Sequence, residues 1–432
     1  MSIFTHGLKI SRSTYPMKGT FLYNIAIQLY RAGVSLAAAA GNTKARLWLE
    51  GRRNWQEKMR TELAHKDDVV WIHAASLGEF EQGRPLLEAI RQEYPGSWIV
   101  LTFFSPSGYE VRKDYPVADH IYYLPLDTKQ NAREFVEIVN PSLAIFIKYE
   151  FWYHYLTTLY EQEIPVLLIS GIFRPDQVFF KFYGGMFRRL LEQMTYIFVQ
   201  NQESLDLLAG IGVNHAVLSG DTRFDRVWAL RTEAPPLTKI KNYIGERKAV
   251  IAGSTWEADE RLLAAWWSQY ADNQSCLIIA PHEIHETHIQ QLLELFPGAA
   301  RFTAGNWQAP VLIIDNIGML SALYRYARVS YVGGGFGKDG IHNVLEPATY
   351  SKPVVFGPVF HKYPEAAALL AAGGGISVSN QTELNEQLGL LLRDDQLCTQ
   401  KGQQAGHYVE DNKGVTDRII YYIQVKRFLT SV

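Results

Sequence analysis

Tyr331–Pro358 reads YVGGGFGKDGIHNVLEPATYSKPVVFGP. A β-rich run, Val329–Val332, breaks into glycines and then a helical stretch; a second run, Pro353–Phe356, ends at Gly357-Pro358 before another helix. Strand, Gly-rich turn and helix in succession is the unit of a doubly wound parallel sheet, which binds ligands outside the carboxyl ends of its strands. The glycines, Gly334 and Gly335 among them, let backbone approach a ligand closely, and the next helix offers free N–H groups to a phosphate. Glu346 falls in that helix's first turn, where a carboxylate can accept both hydroxyls of a ribose. The same residues, Asn343-Val344-Leu345-Glu346, also spell a capping box, with Asn343 as N-cap and Glu346 reaching back. Both readings stand on sequence alone.

The rhythm extends in both directions. Upstream, strand candidates are Val69–Ala75, Trp98–Phe104, His120–Leu124, Leu143–Lys148, Val166–Ser170, Ile197–Gln200 and Ala216–Ser219. A polar, Pro-containing stretch follows Arg226, and strands restart at Ala249–Ala252, continuing through Ser275–Ala280, Val311–Ile314, Val329–Val332, Pro353–Phe356 and Ile376–Val378. Two α/β domains with a cleft between them is the expectation, which 432 residues can fill. The expected boundaries are 20–41 for an N-terminal helix, 42–228 for the first domain, 229–247 for a linker, 248–410 for the second domain and 411–432 for a last helix able to pack back on the first. A net charge of −2 gives no global attraction to nucleic acid, and two cysteines make no disulfide framework.

Phe21–Ala40 is mostly apolar, but Asn24, Gln28, Arg31 and Ser35 mark one helical stripe. Arg31 would be costly at a bilayer centre and would interrupt the apolar region of a signal peptide. The expectation is a helix in the membrane surface, flanked by Lys9, Arg12, Lys18, Lys44, Arg46, Arg52 and Arg53; the alternative is a helix docked on protein.

Other strand ends carry polar groups. Ser76-Leu77-Gly78-Glu79 is again a capping box, yet Pro85 argues against a smooth helix from Leu77, which would leave Glu79 in a loop as a candidate general base. Ser76, and Ser105, Ser107 and Glu150 after other strands, are the candidates on the acceptor side. Gly253-Ser254-Thr255 offers amides and hydroxyls to an anion, and His282 is available to a phosphate or base. Arg223 can steady a leaving phosphate or pair with Asp221 or Asp225. In Pro281–His288 the histidines are three apart and His-Glu-x-x-His is absent, so no metal is expected, nor any cofactor.

Together Ser76–Glu79, Thr102–Gly108, Gly220–Asp225 and Gly340–Pro347 with Gly357-Pro358 resemble the 3-deoxy-D-manno-octulosonic acid (Kdo) transferases, over nearly the whole chain from Phe21. The resemblance implies a GT-B fold of two Rossmann-like domains, CMP-Kdo as donor, the lipid A precursor as acceptor, and attachment at the cytoplasmic face of the bacterial inner membrane. It implies inversion at the anomeric carbon without metal, Glu79 as base, and His342, Asn343 and Glu346 in the nucleotide motif. Departures from the family pattern are Phe336, Ile341, His282 in place of Arg, Lys148 in place of an acid, Arg223 in place of Lys, and Met319. Rival readings are a nucleotide-sugar isomerase or epimerase on the same fold and a noncatalytic membrane-surface binding protein.

Overall fold

The computed structural model describes residues 18–270, 272–305 and 307–430. It forms two compact units, one running to Gly220 and rejoined by the residues from Thr416, the other Asp221–Val415. The first sheet contains β1 (Val69–Ala74), β2 (Trp98–Phe103), β3 (His120–Tyr123), β4 (Pro141–Ile147), β5 (Val166–Gly171), β6 (Tyr196–Val199) and β7 (Ala216–Leu218), in the order β3-β2-β1-β4-β5-β6-β7. The second contains β8 (Lys248–Thr255), β9 (Ser275–Pro281), β10 (Ala300–Arg301), β11 (Val311–Ile313), β12 (Val329–Val332), β13 (Val354–Phe356) and β14 (Gly375–Ser377), in the order β10-β11-β9-β8-β12-β13-β14. Every pairing is parallel, as βαβ crossovers require. Strand order therefore reverses between β1 and β4 and between β8 and β12, the switch points where such sheets bind ligands.

The strands are apolar on both faces because helices cover both. In β8, Ala249 and Ile251 enter one core cluster and Val250 and Ala252 another, an alternation that places a core on each side of the sheet. All thirteen strand candidates fall on strands of these two sheets; β10, two residues long, carries too little pattern to read.

The boundary expected at residue 228 falls instead after Gly220. The helix Arg223–Glu233 belongs to the second unit because Phe224 and Val227 are buried in its core. The stretch 229–247 is likewise not a free linker: the helix Thr238–Ile244 buries Ile240, Tyr243 and Ile244 in that same core. Seven residues are too short to show a helical period. The helix Asp395–Asn412 stays with the second unit, and the chain leaves it at Val415. The helix Val415–Lys426 then stacks Tyr422 on Tyr196 of the first sheet, ring centroids 4.5 Å apart.

The N-terminal helix spans Lys18–Ala39. One face docks: Tyr23, Ile27 and Val34 pack with Trp48, Leu126 and Phe104. A second apolar face does not, and Phe21, Leu22, Ile25, Leu29 and Leu36 are exposed on it. Asn24 of the polar stripe meets His154 Nε2 at 2.6 Å. Among the described residues no helix is long and apolar enough to cross a membrane. Lys9 and Arg12 lie outside the described residues, as does the side chain of Lys18.

The docked face is fixed by Asp127. Its carboxylate accepts from the Tyr23 hydroxyl (2.5 Å) and from the amides of His154 (3.0 Å) and Tyr155 (3.1 Å), which open the helix Tyr153–Glu161. Burial pushes this carboxyl up to about 6, while those three donors pull it back. Removing one donor from a buried acceptor leaves a desolvated group short of a partner. Tyr23→Phe is therefore expected to lower unfolding free energy by about 2 kcal/mol in urea titrations with little change in m-value.

Candidate active site

In the first unit the polar residues gather where β1, β2 and β4 end. β1 runs through Ala75-Ser76 into the helix Leu77–Glu93, and Glu79 sits in its first turn, not in a loop. Pro85 is inside that helix. The lost N–H bond is outweighed by packing: Phe80, Leu86, Leu87 and Ile90 are buried, and Gly83 lies so close to β4 that a Cβ there would stand 2.0 Å from Ile147 Cδ1.

Glu79 Oε2 accepts from the Ser76 amide (3.0 Å) and hydroxyl (3.2 Å), so the capping contact exists. It occupies only one carboxylate oxygen. Among the described residues nothing hydrogen-bonds Oε1, which is left for another proton donor. Burial and then the nearby Glu150 raise the Glu79 carboxyl above the ordinary range, opposed by His73 and the Ser76 contacts. A carboxylate with raised affinity for a proton is a better base.

Beneath Glu79 lies a polar chain that sequence reading missed. His73, fully buried in β1, places Nδ1 2.8 Å from Thr102 Oγ1 and Nε2 3.0 Å from Glu150 Oε2. Trp71 Nε1 donates to Thr102 Oγ1 (2.8 Å) and Trp152 Nε1 to Glu150 Oε2 (2.6 Å). Glu150, expected on the acceptor side, is thus a buried member of this chain. The available signal was His73 itself, a polar side chain inside the otherwise apolar run Val69–Ala74. Ser105 caps the helix Pro106–Arg112, accepting from the Ser107 amide at 3.2 Å, and the two hydroxyls are 2.9 Å apart. The Ser105 amide donates to the Ala75 carbonyl (2.7 Å), which sets this pair beside the Ser76 turn. Lys148 (φ 68°) and Ser170 (φ 52°) hold left-handed backbone at the ends of β4 and β5, a strain of about 1–3 kcal/mol each.

In the second unit the ends of β8, β12 and β13 converge. A Cβ on Gly253 would lie 2.1 Å from Tyr324 Oη, one on Gly333 2.4 Å from the Ser254 carbonyl oxygen, and one on Gly335 2.6 Å from Gly357 backbone. Gly334 has φ 91° and Ser254 φ 52°. The loop is tied by Asp259, which accepts from the amides of Gly334 (2.8 Å) and Trp256 (2.9 Å) and from Tyr331 Oη (2.7 Å), while Thr255 Oγ1 donates to Glu260 (2.9 Å).

Above this loop three rings stack: Trp256 on His282 (4.6 Å between centroids) and His282 on His342 (4.4 Å). Trp256 Nε1 donates to His342 Nε2 (3.0 Å). Burial, and then His282, lower His342, so the ring stays neutral with its proton on Nδ1. Trp256, Asp259 and Tyr331 were not foreseen, and Trp256 follows Gly253-Ser254-Thr255 directly.

The capping box read at Asn343–Glu346 does not form. The helix is Leu345–Thr349, with Val344 as N-cap; Asn343 Oδ1 instead accepts from the Leu345 amide (3.0 Å). Glu346 is held by side chains, Asn343 Nδ2 on Oε1 (3.2 Å) and Ser321 Oγ on Oε2 (2.8 Å).

Arg223 is not a bare cation. It pairs with Asp221 (2.7 Å) and Glu365 (2.8 Å), both buried carboxylates of the same unit. Glu283, His285 and His288 bring ligand atoms within 4.8 Å of one another. Hydrogen bonds already engage three of the four ring nitrogens: His285 with the His288 amide and Glu283, and His288 Nε2 with Glu260 at 2.9 Å.

Comparison with known proteins fits this geometry. Residues 53–226 match the family model described as 3-deoxy-D-manno-octulosonic-acid transferase (kdotransferase). A 3-deoxy-D-manno-octulosonic acid transferase of Aquifex aeolicus is 26% identical over 329 residues, 75% of this chain and 86% of its own. One from Haemophilus influenzae is 27% identical over 371 residues, 81% and 85% of the two chains. Among solved structures, a UDP-GlcNAc 2-epimerase from Neisseria meningitidis superposes with TM-score 0.58 at 14% identity, covering 83% of this chain and 99% of its own, a likeness of fold alone. With two Rossmann-like units of the GT-B class, a carboxylate at the β1 switch point and a glycine-rich loop at the β8–β12 switch point, this chain is similar to the 3-deoxy-D-manno-octulosonic-acid transferases, in residues 53–226 by the family model and over most of its length by these relatives.

Proposed function

We propose that the chain transfers Kdo from CMP-Kdo to the lipid A precursor in lipopolysaccharide inner-core synthesis, with Glu79 as general base. The observation that carries the role of Glu79 is its half-free, half-buried carboxylate: Oε2 caps the helix while Oε1 has no partner among the described residues. In this reading Glu79 takes the proton of an acceptor hydroxyl as that oxygen bonds to the Kdo anomeric carbon. The bond from that carbon to the phosphate oxygen breaks, and CMP leaves with the electron pair. Attack opposite the leaving group inverts the anomeric centre.

The second unit holds the nucleotide. Gly253–Thr255, Gly334 and Gly335 line the phosphate side, neutral His342 offers Nδ1–H, and Asn343 with Glu346 receives the ribose. His282 stacks between Trp256 and His342, where an Arg is usual in the family. Arg223 acts through Asp221 and Glu365, shaping the loop that carries it. In this reading no metal takes part, with the neutral imidazole of His342 set against the phosphate. The exposed apolar face of the helix Lys18–Ala39 supports attachment at the cytoplasmic face of the inner membrane, where the acceptor keeps its acyl chains in lipid.

Electrostatics gives a test specific to this base. Glu150 raises Glu79 by like-charge repulsion, so removing its charge lowers the Glu79 pKa. A base must be ionised to act, so the acid limb of kcat/KM is expected above the ordinary carboxylate range in the wild type and displaced to lower pH in Glu150→Gln. A limb that stays in place, or moves up, removes Glu79 as the titrating base.

A further inference from the structure

The turn Lys181–Gly184 exposes two adjacent aromatic rings, Phe182 at 94% and Tyr183 at 66%. They are held there by structure. The Gly184 amide closes the turn on the Lys181 carbonyl (2.9 Å). Arg188 Nη1 braces it by donating to the carbonyls of Phe179 (3.2 Å) and Lys181 (2.9 Å). Gly184 is pressed so close to the preceding 3-10 turn Val178–Phe180 that a Cβ would stand 1.8 Å from the Val178 carbonyl oxygen. Phe179 anchors that turn in the core against Phe151 and Phe173. Phe182 and Tyr183 thus occupy the corner of a rigid turn, and the rigid base keeps them from folding back onto the protein.

Two further observations say what covers them. The helix that follows, Gly185–Gln193, carries Met186, whose Sδ lies 3.1 Å from where a Cβ on Gly19 would be. The turn therefore stands beside the first turn of the N-terminal helix, where the exposed face beginning at Phe21 and Leu22 starts. The turn and the helix after it also carry the cations Lys181 and Arg189 beside the bracing Arg188, with the nearest acids in sequence at Asp176 and Glu192. Exposed aromatics beside cations and continuous with an amphipathic helix match the interface of an anionic bilayer, where rings enter the acyl boundary and cations meet phosphates.

We infer that Phe182 and Tyr183 form a second membrane-inserting element that cooperates with the N-terminal helix in seating the first unit on an anionic lipid surface. The inference rests on reading that helix as interfacial, and the experiment separates the two. Purified full-length chain is co-sedimented with vesicles of phosphatidylethanolamine and phosphatidylglycerol. The variants are Phe182→Ser/Tyr183→Ser and, separately, Leu22→Ser/Leu29→Ser; all four positions are exposed, so both pairs should fold. Each pair is expected to lower the partition coefficient by about tenfold or more, the weight of two apolar side chains. If only the helix pair loses binding, the turn has no such role and the helix reading stands; if wild type does not bind, both fall. A polarity-sensitive fluorophore on Phe182→Cys gives a direct readout, since Cys276 and Cys398 are buried and escape labelling. Blue-shifted, brighter emission with vesicles is the expected result, and an unchanged spectrum overturns the proposal.

Discussion

Glu79→Gln is expected to lower the transfer rate by about 10³-fold while leaving CMP affinity and thermal stability close to wild type. The substitution separates the two roles of the residue. A Gln at the third helical position can still accept from the Ser76 amide through its carbonyl oxygen, so the cap survives. What it loses is the ability to hold a proton at the carboxylate oxygen that the cap leaves open. Glu79→Ala removes both and should add a stability loss of about 1 kcal/mol. If Glu79 served only as a cap, the Gln variant would turn over normally and only the Ala variant would be weakened. Stopped-time assays beside urea melts of the two variants distinguish these outcomes.

Gly335→Ala is expected to unsettle the nucleotide side severely. Gly335 and Gly357 face each other at the ends of β12 and β13, and a Cβ on either meets backbone of the other at 2.6 Å or less. Backbone cannot rotate away as a flexible side chain can, so the strand ends must part. The cost is about 3 kcal/mol, with loss of CMP binding expected because the proposed nucleotide loop moves with the strand. Gly337→Ala is the control two residues on: a Cβ there finds only the Gly334 carbonyl oxygen, at 3.3 Å, and needs no left-handed backbone. Denaturation and CMP titration should separate the two sharply. Equal behaviour would mean that the close approach has no role.

The two sheets were legible because their central strands, such as β1, β4, β5 and β9, are apolar runs buried on both faces and bounded by turns, and that pattern survives without context. β10 and the helix Thr238–Ile244 were not, being shorter than the periods that reveal them. The division after Gly220 escaped for a different reason. Whether Phe224 and Val227 serve one core or the other depends on which cluster surrounds them, and a local pattern does not encode that.

Site residues divide the same way. Glu79, His342 and Glu346 follow strands within motifs, so their position near strand ends could be read, as could Ser76 beside Glu79 and Asn343 beside Glu346, while the buried residues that support them could not. Asp259 and Glu260 reach the Gly-rich loop from the buried side of a helix, and His73 on β1 reaches Glu150 beyond the end of the neighbouring β4. Pro85 misled because a breaker rule yields to a helix face this well packed. Asn343 misled because its side chain closes a tighter turn, onto Leu345, before the helix begins.

The central claim is the reaction itself. Purified chain is incubated with CMP-Kdo and lipid A precursor in vesicles, with a chelator present, and released CMP and lipid mass are followed together. CMP release matched by a gain of one or more Kdo residues on the lipid, undiminished by the chelator, is the expected result. Conversion of the donor without lipid product, or binding without turnover, would contradict the account.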